Sequence, residues 1–179
     1  MLVDVSKLGL PAATEFLDPI TPQYIGDLIS WGAIGARTTE SQIHRQLASG
    51  LSAPIGFKNG TDGSIQIAID AIKSAMNPHM FLSVTKDGKS AIVSTTGNRD
   101  CHVIHRGGNL GENFSSQHIN RSRELLDASG IDTGIMVDLS HANSDKDFKK
   151  QAFAASSVCQ QLSSIAVSYT HLRAHETAT

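Results

Sequence analysis

Apolar positions along this chain alternate between two patterns. Short runs of small or β-branched residues each end near a polar residue. Each is followed by a segment whose apolar positions fall three and four apart. The runs are 10–17 (LPAATEFL), 31–36 (WGAIGA), 54–57 (PIGF), 101–105 (CHVIH) and 134–139 (GIMVDL). Runs of that length predict strands, and the three-and-four spacing predicts amphipathic helices. Thr21-Pro22 reads as the N-cap and first residue of a helix running to Ser30. Ile43 and Leu47 predict a helix capped by Thr38 or Thr39 and closed at Gly50. Further helices are predicted over 64–75 and 115–129, the second closed by Gly130, and from a capping box of Ser144 and Asp147 to about Leu162. Residues 2–5 read as the tail of a helix, and Ile165-Ala166-Val167 as the start of one more strand. Two β-rich segments, 80–84 and 90–95, are joined through Asp87-Gly88, which is a hairpin signal. That hairpin interrupts an otherwise regular series of five strand–helix units.

Strand–helix alternation means a parallel sheet with helices outside it. A partial (β/α)8 TIM barrel is the preferred architecture, with an open doubly wound sheet as the alternative. At 179 residues the chain amounts to about one domain. Its net charge of −2 argues against a broad nucleic-acid surface. No apolar run approaches the ~20 residues of a membrane span, and the first residues lack a signal-peptide pattern. Cys101 and Cys159 are far apart and form no metal-type cluster, so they read as free thiols of a cytoplasmic protein. The last stretch, YTHLRAHETAT, shows neither strand nor helix periodicity. The domain is therefore read as 1–167, and 168–179 as a non-native tail.

Each predicted strand carries a polar, mostly ionisable group at or just beyond its C-terminal end: Glu15, Arg37, Lys58, Arg106 and His141. In a barrel those ends converge on one mouth. Three cations there suit a multiply charged anion such as phosphate or carboxylate. Arg37 stands where a strand passes into a helix, beside free N–H groups and a positive dipole end. Its alternative use is an ion pair with Glu40. A lone histidine such as His141 is more often a satisfied structural residue.

GARTTESQIHRQLASGL, GFKNGTDG, HRGG around Arg106 and SHAN at His141 together resemble type I 3-deoxy-D-arabino-heptulosonate-7-phosphate (DAHP) synthase. The resemblance runs from Leu10 to about Ile165. It implies a (β/α)8 barrel with an inserted hairpin, of which this chain holds about strands three to seven. It implies condensation of phosphoenolpyruvate with erythrose 4-phosphate, at the entry to the shikimate pathway and aromatic amino acid biosynthesis. Carried over by position, Ala36, Arg37, Lys58 and Arg106 bind phosphoenolpyruvate, and Glu15 is an active-site carboxylate. His141 is a ligand of a divalent metal ion (Mn, Fe, Co or Zn). Lys58 either donates a proton or acts by charge alone. The family's other metal ligands, a cysteine, a glutamate and an aspartate, have no counterpart here, so the metal site is incomplete and the chain alone is expected to be inactive. The family is often feedback-regulated by an aromatic amino acid and oligomeric. Asp18, Gln23, Ser52, Phe81, Ser83 and Val93 fall in the corresponding segments and lean towards phenylalanine; their alternative is ordinary helix-end and hairpin duty. Two other readings stay open: a Schiff-base aldolase using Lys58, and a non-catalytic fragment that binds phosphate or an aromatic ligand.

Overall fold

Every predicted apolar run contains a strand, usually shorter than the run. A computed structural model describes residues 1–164 and 169–173. The chain falls into two compact units, one of Met1–Phe57 with Asp70–Cys101, the other of Lys58–Ile69 with residues from His102 onward.

In the first unit, α1 (Leu2–Lys7) precedes β1 (Ala13–Glu15), α2 (Pro22–Ile25), β2 (Trp31–Ile34) and α3 (Gln42–Ser49). β3 (Ile55–Lys58) begins in this unit and ends in the other. β1 pairs with β2 in parallel, with Glu15 opposite Ala33, and β2 pairs with β3 in parallel, with Ile34 opposite Phe57. Ala33, Ile34, Ile55 and Phe57 are fully buried, as residues of a parallel sheet covered on both faces should be. After α4 (Gln66–Ala75), the predicted hairpin forms from β4 (Met80–Val84) and β5 (Ser90–Ser94), paired antiparallel with Leu82 opposite Ile92.

In the second unit, β6 (Cys101–His105) and β7 (Ile135–Asp138) pair in parallel, with His105 opposite Val137. α5 (Ser116–Ala128) ends as predicted. Gly130 takes φ +67, its N–H donates to the Asp127 carbonyl, and Ile131 N–H donates to the Leu126 carbonyl, both at 3.0 Å. That pair of bonds is a Schellman closure, and the buried Ile131 and Leu126 supply its apolar contact. α6 spans Phe148–Ser164.

Several expectations at element ends are corrected. The N-cap position of the helix after β2 is Ser41, not Thr38 or Thr39, and its side chain makes no capping bond. Both threonine hydroxyls instead donate to the Gly35 carbonyl, at 3.1 and 3.0 Å. The helix predicted from Ile43 and Leu47 does form, with Ile43 56% exposed and His44 and Ala48 buried. Gly50 closes α3 in the right-handed region. The helix from Pro22 ends at Ile25 and passes into a short 3-10 turn, Gly26–Leu28. Ser144 lies in the 3-10 turn His141–Ser144 and does not cap α6. Asp147 does, its carboxylate accepting from Lys149 N–H at 2.9 Å. Tyr169–Arg173, read as patternless, forms β8, parallel to β7. Ile165-Ala166-Val167 lies outside the described residues.

Candidate active site

Lys58 ends β3 with a buried side chain. A buried ammonium requires a partner, and Asp138 at the end of β7 brings a carboxylate to 3.8 Å from its Nζ. Asp138 is itself fully buried. Its Oδ1 accepts from Ser140 N–H at 3.0 Å and from the Ser140 hydroxyl at 2.8 Å. Its Oδ2 lies 3.0 Å from His141 Nδ1 but receives no directed hydrogen bond. The ring nitrogen bonds Ser140 Oγ at 2.9 Å instead. Burial pushes the Asp138 pKa up, but His141 and the two Ser140 donors more than offset it and hold the carboxyl well below the usual range. His141 takes φ +56, which is uncommon for a residue with a Cβ. The turn is held by Lys146 N–H on the His141 carbonyl at 2.7 Å and by Ala142 N–H on the Arg106 carbonyl at 3.2 Å.

Three buried asparagines tie the ends of β3, β6 and β7 together. Asn59 Oδ1 accepts from Arg106 N–H at 2.8 Å and from Asn113 Nδ2 at 3.2 Å. Asn59 Nδ2 donates to the carbonyls of Gly60 and Gly107, at 2.8 and 3.0 Å. Asn113 N–H donates to Asn143 Oδ1 at 2.9 Å. Asn143 Nδ2 donates to the carbonyls of His105 and Asp138, at 3.1 and 2.8 Å. These bonds satisfy backbone groups that the ladders leave open where strands pass into loops. His105 anchors the cluster to α5 through Asn113 O (2.6 Å) and Ser122 Oγ (2.9 Å). Burial pushes its pKa down to about 4, although the Asn113 carbonyl bond works the other way. Gly107, at φ +73, brings the loop after β6 against the loop after β7. A Cβ there would stand 2.8 Å from Ala142 Cβ and from Asn143 N.

Lys58, Arg106 and His141 thus share one unit and one set of connected loops. Glu15, Ala36 and Arg37 belong to the other unit. The Glu15 carboxylate lies against Gly35, and Arg37 is exposed. No ion pair joins Arg37 to Glu40 among the described residues. The first unit also holds a cleft of about 340 Å³, lined in part by Gln23, Ile43, Leu47, Phe81, Ser83 and Val93. Four of the six residues assigned to an effector site meet there. Ser52 lines a neighbouring cleft with Gln23. Asp18 lines neither. Its carboxylate accepts from the Thr21 hydroxyl (2.6 Å) and from the N–H groups of Thr21 and Ile20 (2.8 Å each), which hold its pKa below the usual value.

The sequence model described as the DAHP synthetase I family matches residues 3–169. The chain belongs to the DAHP synthetase I family. It is 62% identical over 162 residues to the Phe-sensitive phospho-2-dehydro-3-deoxyheptonate aldolase of Escherichia coli K12, covering 90% of this chain and 46% of that protein. The Tyr-sensitive aldolase of the same organism is 50% identical, covering 90% and 45%. The solved structure of the aldolase from Francisella tularensis SCHU S4 superposes with a TM-score of 0.90 at 55% identity, covering 92% of this chain and 48% of that one. The chain spans about half the length of the relatives it matches.

Within this family member, sequence reasoning missed Asp138 and the three asparagines. Asp138 sits inside GIMVDL and reads there as the polar end of a strand. Asn59 and Asn143 stand near Lys58 and His141, but their bonds to Asn113 reach 54 and 30 positions along the chain. Among the described residues, no three His, Cys, Asp or Glu side chains gather as a metal cluster. No described helix is long and apolar enough to cross a membrane.

Proposed function

We propose that this chain is the part of a DAHP synthase that binds phosphoenolpyruvate and supplies the histidine metal ligand. The complete domain condenses phosphoenolpyruvate with erythrose 4-phosphate and releases phosphate. The observation that carries the reading is the joining of Lys58, Arg106 and His141 through bonded loops in a member of this family. A carboxylate and a phosphate on one small molecule require clustered cations. Lys58, held beside Asp138, offers a fixed ammonium to such an anion. Arg106 offers a planar fork from a half-buried position. When bound at His141, a divalent metal supplies Lewis-acid polarisation of the aldehyde carbonyl. Ala36, Arg37 and Glu15 are assigned to the substrates by their motifs alone. The parallel strands are read as consecutive strands of a (β/α)8 barrel with the hairpin inserted. The cleft beside Phe81, Ser83 and Val93 is read as the effector site, with phenylalanine the favoured occupant.

The test is a chimera in which this chain replaces the matched segment of the 62%-identical E. coli relative. Metal-dependent phosphate release that requires both substrates is expected. Lys58→Ala should lower kcat by about a hundredfold or more, the usual contribution of a positioned proton donor or charge. A chimera that folds but releases no phosphate overturns the reading. Borohydride trapping on the same protein should leave Lys58 unmodified; an adduct there would favour the Schiff-base route instead.

A further inference from the structure

We propose that Asp138 is a positioning residue that fixes the tautomer of His141, so that Nδ1 carries the ring hydrogen and Nε2 presents its lone pair. The purpose of that arrangement rests on His141 being a metal ligand, but the arrangement itself follows from donor counting. A serine hydroxyl has one hydrogen. Ser140 gives it to Asp138 Oδ1 at 2.8 Å, so towards His141 Nδ1, at 2.9 Å, Ser140 Oγ can only accept. The other group within reach of Nδ1 is Asp138 Oδ2 at 3.0 Å, and an ionised carboxylate also only accepts. Both neighbours of Nδ1 therefore demand a hydrogen from it. Ser140 alone would not decide the matter, because a hydroxyl can rotate and donate either way. Asp138 decides it by taking the serine hydrogen at Oδ1 and by setting a negative Oδ2 3.0 Å from Nδ1, where a second lone pair would be repelled.

The backbone leaves the ring little choice of partner. His141 is held at φ +56 within a turn bonded on both sides, and Asp138 is fully buried at the end of β7. Lys58 Nζ, 3.8 Å from the same Oδ2, sets a cation beside that carboxylate. A metal takes a neutral imidazole through a nitrogen lone pair, and the hydrogen bond at the other nitrogen chooses which one. His141 remains 33% exposed at its side chain, which leaves the ring reachable. One buried aspartate would thus aim an imidazole at a ligand and steady the lysine next to it.

The test uses the metal-free 179-residue chain carrying isotope-labelled histidine. It is read by long-range proton–nitrogen correlation well above the ordinary imidazole pKa of about 6.5, with His141→Gln to assign the ring. The native chain should show the Nδ1–H form. Asp138→Asn frees the serine hydroxyl and adds an amide donor, and should move the ring to a majority Nε2–H form. Ser140→Ala should keep Nδ1–H, because the negative Asp138 Oδ2, 3.0 Å away, still disfavours a lone pair on Nδ1. An Nε2–H native ring, an Asp138→Asn spectrum like the native one, or a flip in Ser140→Ala would each overturn the proposal. If Asp138→Asn does not fold, the native and Ser140→Ala spectra decide it by the same criteria. Failure of the chimera to release phosphate would leave these spectra unchanged, so the two readings fail separately.

Discussion

The buried His105 shows how much one side chain can make stability depend on pH. Its pKa falls from 6.5 to about 4 in the fold, chiefly because burial disfavours the charged ring. The unfolded chain therefore binds more protons between those values, and stability rises with pH there. The contribution is fully present above about 6.5 and is lost as pH falls towards about 4. A shift of that size corresponds to roughly 3 kcal/mol. Urea unfolding across this range should show that slope, and His105→Gln should flatten it while lowering stability at neutral pH. An unchanged slope in the variant would place the dependence elsewhere. At this scale the sequence was informative about charge and silent about pairing. Lys58, Arg106 and His141 stood out because each follows an apolar run. Asp138 did not, because a carboxylate closing such a run looks the same whether it meets solvent or a lysine 80 positions earlier.

Elements were legible wherever one physical cause dominates. Apolar runs gave the strands, and Asp87-Gly88 gave the hairpin. Gly130 ends α5 because the left-handed region admits it without strain. Caps were less legible, because a hydroxyl can donate to a carbonyl as readily as it accepts from an N–H. Thr38 and Thr39 do the former. Ile43 and Leu47 gave the helix but not what covers it, because periodicity does not say whether core or cleft lies against a face. Two glycines separate backbone strain from close approach. Gly130→Ala meets nothing within 4 Å and should cost about 1 kcal/mol from its positive φ alone. Gly107→Ala adds a collision with the Ala142–Asn143 backbone and should cost at least twice that in urea unfolding. Equal losses would mean that the two loops are not pressed together.

Across the whole chain, the effector assignments fall in the first unit and the substrate assignments in both, and ligands should report on each. Phosphoenolpyruvate should slow amide exchange over 58–63, 105–113 and 138–144, and phenylalanine over 42–50 and 80–95. Exchange read by mass spectrometry on the intact chain would check both. Protection in the reverse pattern, or none from either ligand, would count against the assignment. The family was legible from four short motifs in order, because they mark the loops where chemistry constrains the backbone. The strand β8 was not legible. Its residues lack the alternation that a strand with one face in the core would need, and backbone pairing does not depend on that pattern.

The bonding around Asn59 also governs how this protein ages. Asn59 is followed by Gly60, the pairing in which a backbone nitrogen most readily attacks the amide before it and leaves aspartate or isoaspartate behind. In the fold that nitrogen is occupied, its hydrogen bonded to the Ser64 carbonyl at 3.0 Å, and the amide is clamped on both sides. Unfolding releases both. A carboxylate at this position could no longer donate to the Gly60 and Gly107 carbonyls, so each lapse from the native state risks a chemical scar that the refolding chain cannot accommodate.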